Sequence, residues 1–311
     1  MSETLELSGV LVRPSFAEAF PMRATRLLIT AESESWAETA ARTATGFATS
    51  VIACGCEAGI ERRLAPHETP DERPGVAVLF FATSEERLAD QLVKRVGQCV
   101  LTCPTAAAWS GLDAERTLPL GRSLRFFGDG YQTSKRIGSR RFWRIPVMEG
   151  EFLVEDRVGV TKGVGGGNFL LLAERPEAAL RAAEAAVAAI ARVPNVILPF
   201  PGGIVRSGSK VGSRYKGLAA STNHRYCPTL RGLLADSALP PEVGSVLEIV
   251  IDGLDEASVA RAMVEGIRAA CALGRASGLV AVDAGNYGGA LGPYHFHLHQ
   301  LLAAATPPAA P

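Results

Sequence analysis

Residues 76–99, VAVLFFATSEERLADQLVKRVGQC, and residues 246–271, VLEIVIDGLDEASVARAMVEGIRAAC, read as one pattern written twice. Each opens on an apolar run short enough for a strand and passes into a long stretch with helical spacing. The acidic residues that begin the second helical stretch suit the positive end of a helix dipole.

Working outward, the surroundings of the two stretches also match. In the first half, RLLITA (26–31) reads as a strand. SWAETAARTATGF (35–47) follows with helical spacing and Ser35 as its N-cap, and ATSVIAC (48–54) reads as a second strand. In the second half, NFLLLA (168–173) is a strand and RPEAALRAAEAAVAAIARV (175–193) a helix with Pro176 in its first turn. NVILPF (195–200) and LVAVDAG (279–285) complete the set as strands. Both halves therefore give strand, helix, strand, strand, helix, strand. That order is the split βαβ unit, so the expected fold is α+β: a duplicated ferredoxin-like, two-lobed protein with antiparallel sheets. The expected lobes are 1–149 and 150–302, followed by a disordered tail at 303–311. A parallel doubly wound sheet is the alternative. The helix-free link carrying Pro66, Pro70 and Pro74 between the second and third strands of the first half argues against it.

The 311 residues hold 32 basic and 32 acidic side chains, with 47% hydrophobic and 21% charged. A zero balance argues against a protein that coats nucleic acid or an anionic membrane. The N-terminal MSETLELSGVLV has no basic segment followed by an apolar run, so it does not read as a signal peptide. The Ala-rich stretch 178–191 carries Arg181 and Glu184 and is no membrane span. Six cysteines in such a chain read as reduced thiols, and the expected location is the cytoplasm.

The second half carries an extra Gly- and Ser-rich piece at 201–244, and an insertion of this kind is functional or disordered. Between 204 and 235 it holds Arg206, Lys210, Arg214, Lys216, Arg225 and Arg231 and no acidic residue. Accessible amides among cations suit the acidic groups of a small ligand, although a solvated basic loop would look the same. The run Arg136 to Arg144 reads as a solvated or oligomer-facing surface. GIVRSGSK (203–210) has serine where a phosphate loop needs lysine, and GVGGGN (163–168) leads into a strand rather than a helix, so neither is a nucleotide motif.

Glu248 interrupts an otherwise apolar strand, on the face of Val246 and Val250. A carboxyl among apolar neighbours has a raised pKa and can serve as a general acid or base. An exposed sheet face is the other reading. His295, His297 and His299 alternate, but ligands at i and i+4 of one strand stand ~13 Å apart and do not converge on a metal. Cys227, with His224 close in sequence, is a conceivable nucleophile or a packed thiol.

Several blocks together carry a resemblance: SFAEAF (15–20), ATGFATSVI (44–52), LRFFGDGYQ (124–132), PFPGGIVRSGSKVGS (199–213), ASTNHRYCPT (220–229), LEIVIDGL (247–254) and AGNYGGALG (284–292). Over residues 7–302 the chain resembles the formylmethanofuran–tetrahydromethanopterin formyltransferases. The resemblance implies a ferredoxin-like homotetramer that moves a formyl group between formylmethanofuran and tetrahydromethanopterin, both substrates, with no bound cofactor or metal. It places the family's buried catalytic glutamate on Glu248. Chemistry and the matched blocks together nominate Gly202, Gly203, Arg206, Ser207, Ser209, Lys210, Ser221, Thr222 and Asn223 for substrate binding. A neutral, Ala- and Arg-rich chain departs from the acidic methanogen members and points to the bacterial, methylotroph-type branch. There the enzyme is a subunit of a formyltransferase/hydrolase complex oxidising formaldehyde-derived carbon. A non-catalytic subunit of that complex, and an acyl transferase working through Cys227, are the rival readings.

Overall fold

The computed structural model describes residues 5–304. The chain is a mixed α/β protein of two compact units, residues 22–163 and, among the described residues, 5–21 with 164–304. This division departs from a cut at 149/150. Val10, Val12, Ala17 and Ala19 are buried in the core of the second unit, which draws the N-terminal segment away from the residues that follow it. Phe152 and Val154 are buried in the core of the first, which retains residues 150–163.

The unit of residues 22–163 contains part of strand β1 (Phe16–Thr30), helix α1 (Glu34–Thr45), β2 (Glu57–Leu64), β3 (Gly75–Ala82), α2 (Glu85–Arg95) and β4 (Ala107–Ser110). The strands lie in the order β2-β3-β1-β4, all antiparallel. Leu27 and Ile29 stand opposite Val78 and Val76. This face packs on Ala37, Ala40, Ala41, Ala44, Leu88 and Leu92 of the helices. Beyond β4 the strand Gly150–Glu155 joins in parallel and leads to the antiparallel hairpin of Thr133–Ile137 and Arg140–Val147, which carries the basic run.

Three sequence expectations change here. The α1 helix is capped by Ser33, whose hydroxyl accepts from the Trp36 N–H at 3.4 Å, rather than by Ser35. Residues Val51–Cys54 are a single helical turn, not a strand. Ser50 caps it, and Gly55 ends it with φ 80°. The strand of that position is β2, where a register shift between Ile60 and Arg62 breaks the alternation that would have revealed it.

The second unit holds most of β5 (Thr161–Ala173), α3 (Pro176–Ile190), β6 (Val196–Ile197), β7 (Ser209–Val211), β8 (Ala220–Thr222), β9 (Ser245–Gly253), α4 (Glu256–Ala272), β10 (Leu279–Asp283), β11 (Tyr294–His297) and α5 (Leu298–Ala304). Its main strands lie in the order β6-β9-β5-β10, again antiparallel, and Val10–Val12 adds in parallel beside β10. The stretch NVILPF forms only the two-residue β6. Pro176 opens α3, and the Asp255 carboxylate caps α4 by accepting from the Ser258 N–H at 2.7 Å. The GVGGGN glycines lie inside β5. At Gly167 a Cβ would run into Val259 of α4, so the residue permits close helix packing.

This sheet is apolar on both faces. Phe169, Leu171, Ile249, Ile251 and Val282 pack against α3 and α4. On the reverse face Leu170, Leu172 and Ala281 meet Leu239 and Val243 of the insertion. The expected tail begins within α5 at residues 303–304, and the rest of it lies outside the described residues. Among the described residues no helix is long and apolar enough to cross a membrane.

Candidate functional site

The insertion leaves one part of the reverse face open. Between β6 and β9 it makes a small hairpin of β7 and β8, followed by short 3-10 turns. Together with residues 284–287 it walls a cleft of about 600 Å³. Asn168, Leu170, Val246, Leu247 and Glu248 from the sheet line it. So do Arg206, Lys210, Thr222, Asn223, Tyr226 and Cys227 from the insertion, and Asn286 and Tyr287 from the last loop.

Glu248 stands opposite Leu170 in the ladder, and its backbone exchanges two hydrogen bonds with Val205, at 2.8 and 3.0 Å. The backbone is therefore fixed on both sides. Among the described residues the side chain has no hydrogen-bond or ion-pair partner. Glu248 is half-buried along this wall of the cleft. That burial pushes its pKa up from the ordinary carboxylate range to about 7.

Asp283 is the contrasting carboxylate on this sheet. It accepts from Arg13 Nη1 at 2.8 Å, from the Tyr226 hydroxyl at 2.9 Å and from the Ala284 N–H at 2.8 Å. Burial first, and then the charge of Asp283, push the Tyr226 phenol well above its ordinary range. Tyr226 is thus a neutral hydroxyl whose proton is committed to Asp283.

Asn168 and Glu18 shape the last loop. Asn168 accepts from the Gly285 N–H at 2.6 Å and donates to the carbonyls of Gly166 and Gly285, both at 3.0 Å. Glu18 is 1% exposed. Its carboxylate accepts from four backbone N–H groups, those of Tyr287, Gly289, Leu291 and Gly292. Burial alone would raise its pKa. The bonds from Gly292, Tyr287, Leu291 and Gly289 override that and lower it to about 2.

Of the residues nominated from the sequence, Glu248, Arg206, Ser207, Ser209, Lys210, Thr222 and Asn223 come together around this cleft. Three do not line it. Gly202 and Gly203 sit in a tight turn at φ 64° and 78°, with Gly203 against Leu198 and Val187. The Ser221 hydroxyl donates to the Gly212 carbonyl at 2.7 Å. The insertion's cations also divide. Arg225 donates to the Asp236 carbonyl, and Arg231 to the carbonyls of Pro241 and Val243, so both tie the insertion together. Arg206 and Lys210 form no ion pair among the described residues and face the cleft.

The Cys227 thiol also lines the cleft, 3.5 Å from the Asn223 carbonyl and from the Thr222 hydroxyl. The Cys227 backbone N–H donates to the His224 carbonyl at 3.1 Å. His295 and His297 lie on β11, while His299 has passed into α5, where its Nε2 is 2.7 Å from the Val12 carbonyl. Among the described residues no three His, Cys, Asp or Glu side chains gather as metal ligands. All six cysteines are unpaired.

Sequence reasoning missed Asn168, Tyr226, Asp283 and Glu18 as parts of this site. The blocks SFAEAF, ASTNHRYCPT and AGNYGGALG contain or adjoin most of them, but no local pattern shows that they meet.

The chain matches known proteins over nearly its whole length. Residues 5–147 match the family model described as formylmethanofuran-tetrahydromethanopterin formyltransferase, and residues 150–301 match its proximal lobe. The formylmethanofuran–tetrahydromethanopterin formyltransferase of Methylococcus capsulatus is 60% identical over 297 residues, covering 96% of this chain and 99% of that protein. A subunit of the formyltransferase/hydrolase complex of Methylorubrum extorquens is 55% identical over 302 residues, covering 95% and 97%. The crystal structure of that complex with methylofuran contains a chain that superposes with a TM-score of 0.94 at 54% identity, covering 96% of this chain and 99% of that one. With near-full coverage in every comparison, the chain belongs to the formylmethanofuran–tetrahydromethanopterin formyltransferase family.

Proposed function

We propose that this protein transfers a formyl group between formylmethanofuran and tetrahydromethanopterin, and that Glu248 handles the protons. The observation that carries the reading is a carboxyl at the cleft with no hydrogen-bond partner among the described residues, its pKa raised to about 7 by burial. Such a group gives and takes a proton near neutrality, as the exchange requires.

An amine nitrogen of the pterin attacks the formamide carbon of formylmethanofuran, and a tetrahedral intermediate forms. The carbon–nitrogen bond to methanofuran then breaks. The attacking nitrogen loses a proton and the leaving nitrogen gains one, so Glu248 ends in the protonation state in which it began. One N-formyl bond replaces another, and the chemistry calls for no redox cofactor, metal or phosphate energy. Aligning the two carriers supplies up to ~7–11 kcal/mol in favourable systems. Proton handling by a placed carboxyl adds ~10²–10⁴ in rate.

Arg206 and Lys210, without ion-pair partners among the described residues and facing the cleft, receive acidic groups of the carriers. Ser207, Ser209, Thr222 and Asn223 supply neutral hydrogen bonds beside them. Gly202, Gly203 and Ser221 act indirectly, by holding the loop's turns. A direct route is favoured over an acyl-Cys227 intermediate because the thiol's hydrogen-bond partners among the described residues are the Asn223 carbonyl and the Thr222 hydroxyl, neither of them a base.

The protein is read as a duplicated ferredoxin-like fold, supported by the same antiparallel strand order with two covering helices in each unit. Likeness to a component of a formyltransferase/hydrolase complex supports assembly with the other subunits of such a complex. The homotetramer, the cytoplasmic location and the role in bacterial formaldehyde oxidation are carried over from the family resemblance.

The test is a transfer assay on the purified chain with both carriers and no added metal, following pterin absorbance. Turnover is the expected result. Absence of turnover from folded protein, alone and with the partner subunits of its complex, overturns the reading.

A further inference from the structure

The cleft wall at Asn286 and Tyr287 belongs to a loop that the chain alone would not hold. Residues 285–292 contain Gly285, Gly288, Gly289 and Gly292, with Gly288 and Gly289 at φ 84° and 74°. A segment this rich in glycine has many conformations to lose. Four of its N–H groups nevertheless converge on one point. The Glu18 oxygens receive them at 2.7 Å from Tyr287, 2.9 Å from Gly289, 2.6 Å from Leu291 and 2.7 Å from Gly292.

This is an anion-binding nest whose anion is built into the protein. The approach needs Gly292, because a Cβ there would collide with the Ala19 carbonyl. Two residues on from Glu18, and on the same face of β1, the Phe20 ring lies 5.9 Å from the Tyr287 ring. One strand thus fixes both the backbone and the ring of Tyr287. Asn286 Nδ2 bonds the Phe16 carbonyl of that strand at 3.2 Å.

We propose that Glu18 is a positioning residue for the transfer reaction: its carboxylate is the template around which residues 287–292 fold, and it thereby sets Asn286 and Tyr287 in the wall of the Glu248 cleft. This rests on the cleft being the site of formyl transfer. Glu18 itself touches neither carrier. A neutral amide cannot replace it, since Gln would aim N–H donors at N–H donors and leave backbone groups unpaired.

The experiment pairs Glu18→Gln with Tyr287→Ala in a double-mutant cycle, with hydrogen exchange of the peptide spanning 285–293. In Glu18→Gln the four amides should lose their protection while the sheet amides keep theirs. In folded protein kcat/KM should fall by up to ~10²-fold, the cost of misplacing part of a site by about 1 Å. In the double variant Glu18→Gln should cost little beyond Tyr287→Ala, because both act through one wall. Glu18→Asp, which keeps the charge on a shorter arm, should recover part of the protection and part of the rate, and it serves if Glu18→Gln does not fold. Unchanged exchange at 287–292 overturns the proposal whatever the assay gives. Normal kcat/KM in the variant, or fully additive losses, overturns it when the unmodified protein is active. An inactive unmodified protein counts instead against the transfer reading, and the exchange data still decide whether Glu18 holds the loop.

Discussion

Glu248 and Asp283 are both in register with Leu170, one on each strand flanking β5, so two carboxyls share one face of the sheet. Strand spacing puts their backbones ~10 Å apart. Asp283 is matched by a guanidinium, a phenol and a backbone N–H, while Glu248 is matched by nothing among the described residues. The same side-chain chemistry therefore serves two ends. One carboxylate is anchored as a structural anion, and the other is kept able to exchange its proton.

Replacing Glu248 with Gln should lower kcat ~10²–10⁴-fold while leaving the KM of each carrier within a few-fold, since size and polarity are preserved. The rate profile of the unmodified protein should inflect near pH 7, and that inflection should be gone from the variant. Steady-state kinetics from about pH 5.5 to about 8.5 would check both, a range that spans the titration of a carboxyl raised in this way. A variant with near-normal kcat removes Glu248 from the chemistry.

The same residue should weaken the fold at alkaline pH. Its pKa is raised from 4.5 in the unfolded chain to about 7 in the folded one. Folding therefore favours the protonated form. The stability associated with it is complete below pH 4.5, declines as pH rises from 4.5 to about 7, and stays low above. The shift corresponds to at most ~3.5 kcal/mol. Glu248→Gln should accordingly match the unmodified protein in urea unfolding at about pH 4.5 and exceed it at about pH 8. Equal stabilities at the higher pH would mean that the ionised carboxyl is well solvated in the open cleft.

Much of this was legible in the sequence because it is local. The repeated apolar run followed by an amphipathic helix gave the layers of each unit. Glu248 stood out because every other residue of its strand core is apolar. Residues 51–54 misled because a four-residue apolar run has no period, and the Ser50 cap and left-handed Gly55 decided it. The strand β2 was hidden by Glu57, Glu61, Arg62 and Arg63, whose charges mask an alternation that its register shift then breaks. Glu18 could not be read at all. Its partner Gly292 lies 274 residues away, and a glutamate in a strand does not announce that four amides will close on it.

Removing the Tyr226 hydroxyl tests the structural half of the carboxylate pair. Tyr226→Phe keeps the ring against Leu170 and its neighbours but deprives buried Asp283 of a charge-assisted bond. The expected loss is ~1.5–3 kcal/mol of unfolding free energy, measured by urea titration near neutral pH. Unchanged stability would show that Arg13 and the Ala284 amide suffice for Asp283.

The insertion's cations should separate into two classes. Arg231 spends its guanidinium on the carbonyls of Pro241 and Val243, so Arg231→Ala should lower Tm. Arg206 and Lys210 have no such duty, and Arg206→Ala with Lys210→Ala should leave Tm nearly unchanged. Their loss should instead raise the KM of an acidic carrier several-fold with a small effect on kcat, because binding before and during the transfer is weakened equally. The unmodified protein's KM should rise with added salt as screening shortens the reach of these charges, and the double variant should lose most of that dependence. A KM that responds to salt equally in both proteins would place the carrier's anionic groups elsewhere, with the Arg136–Arg144 run as the next surface to neutralise.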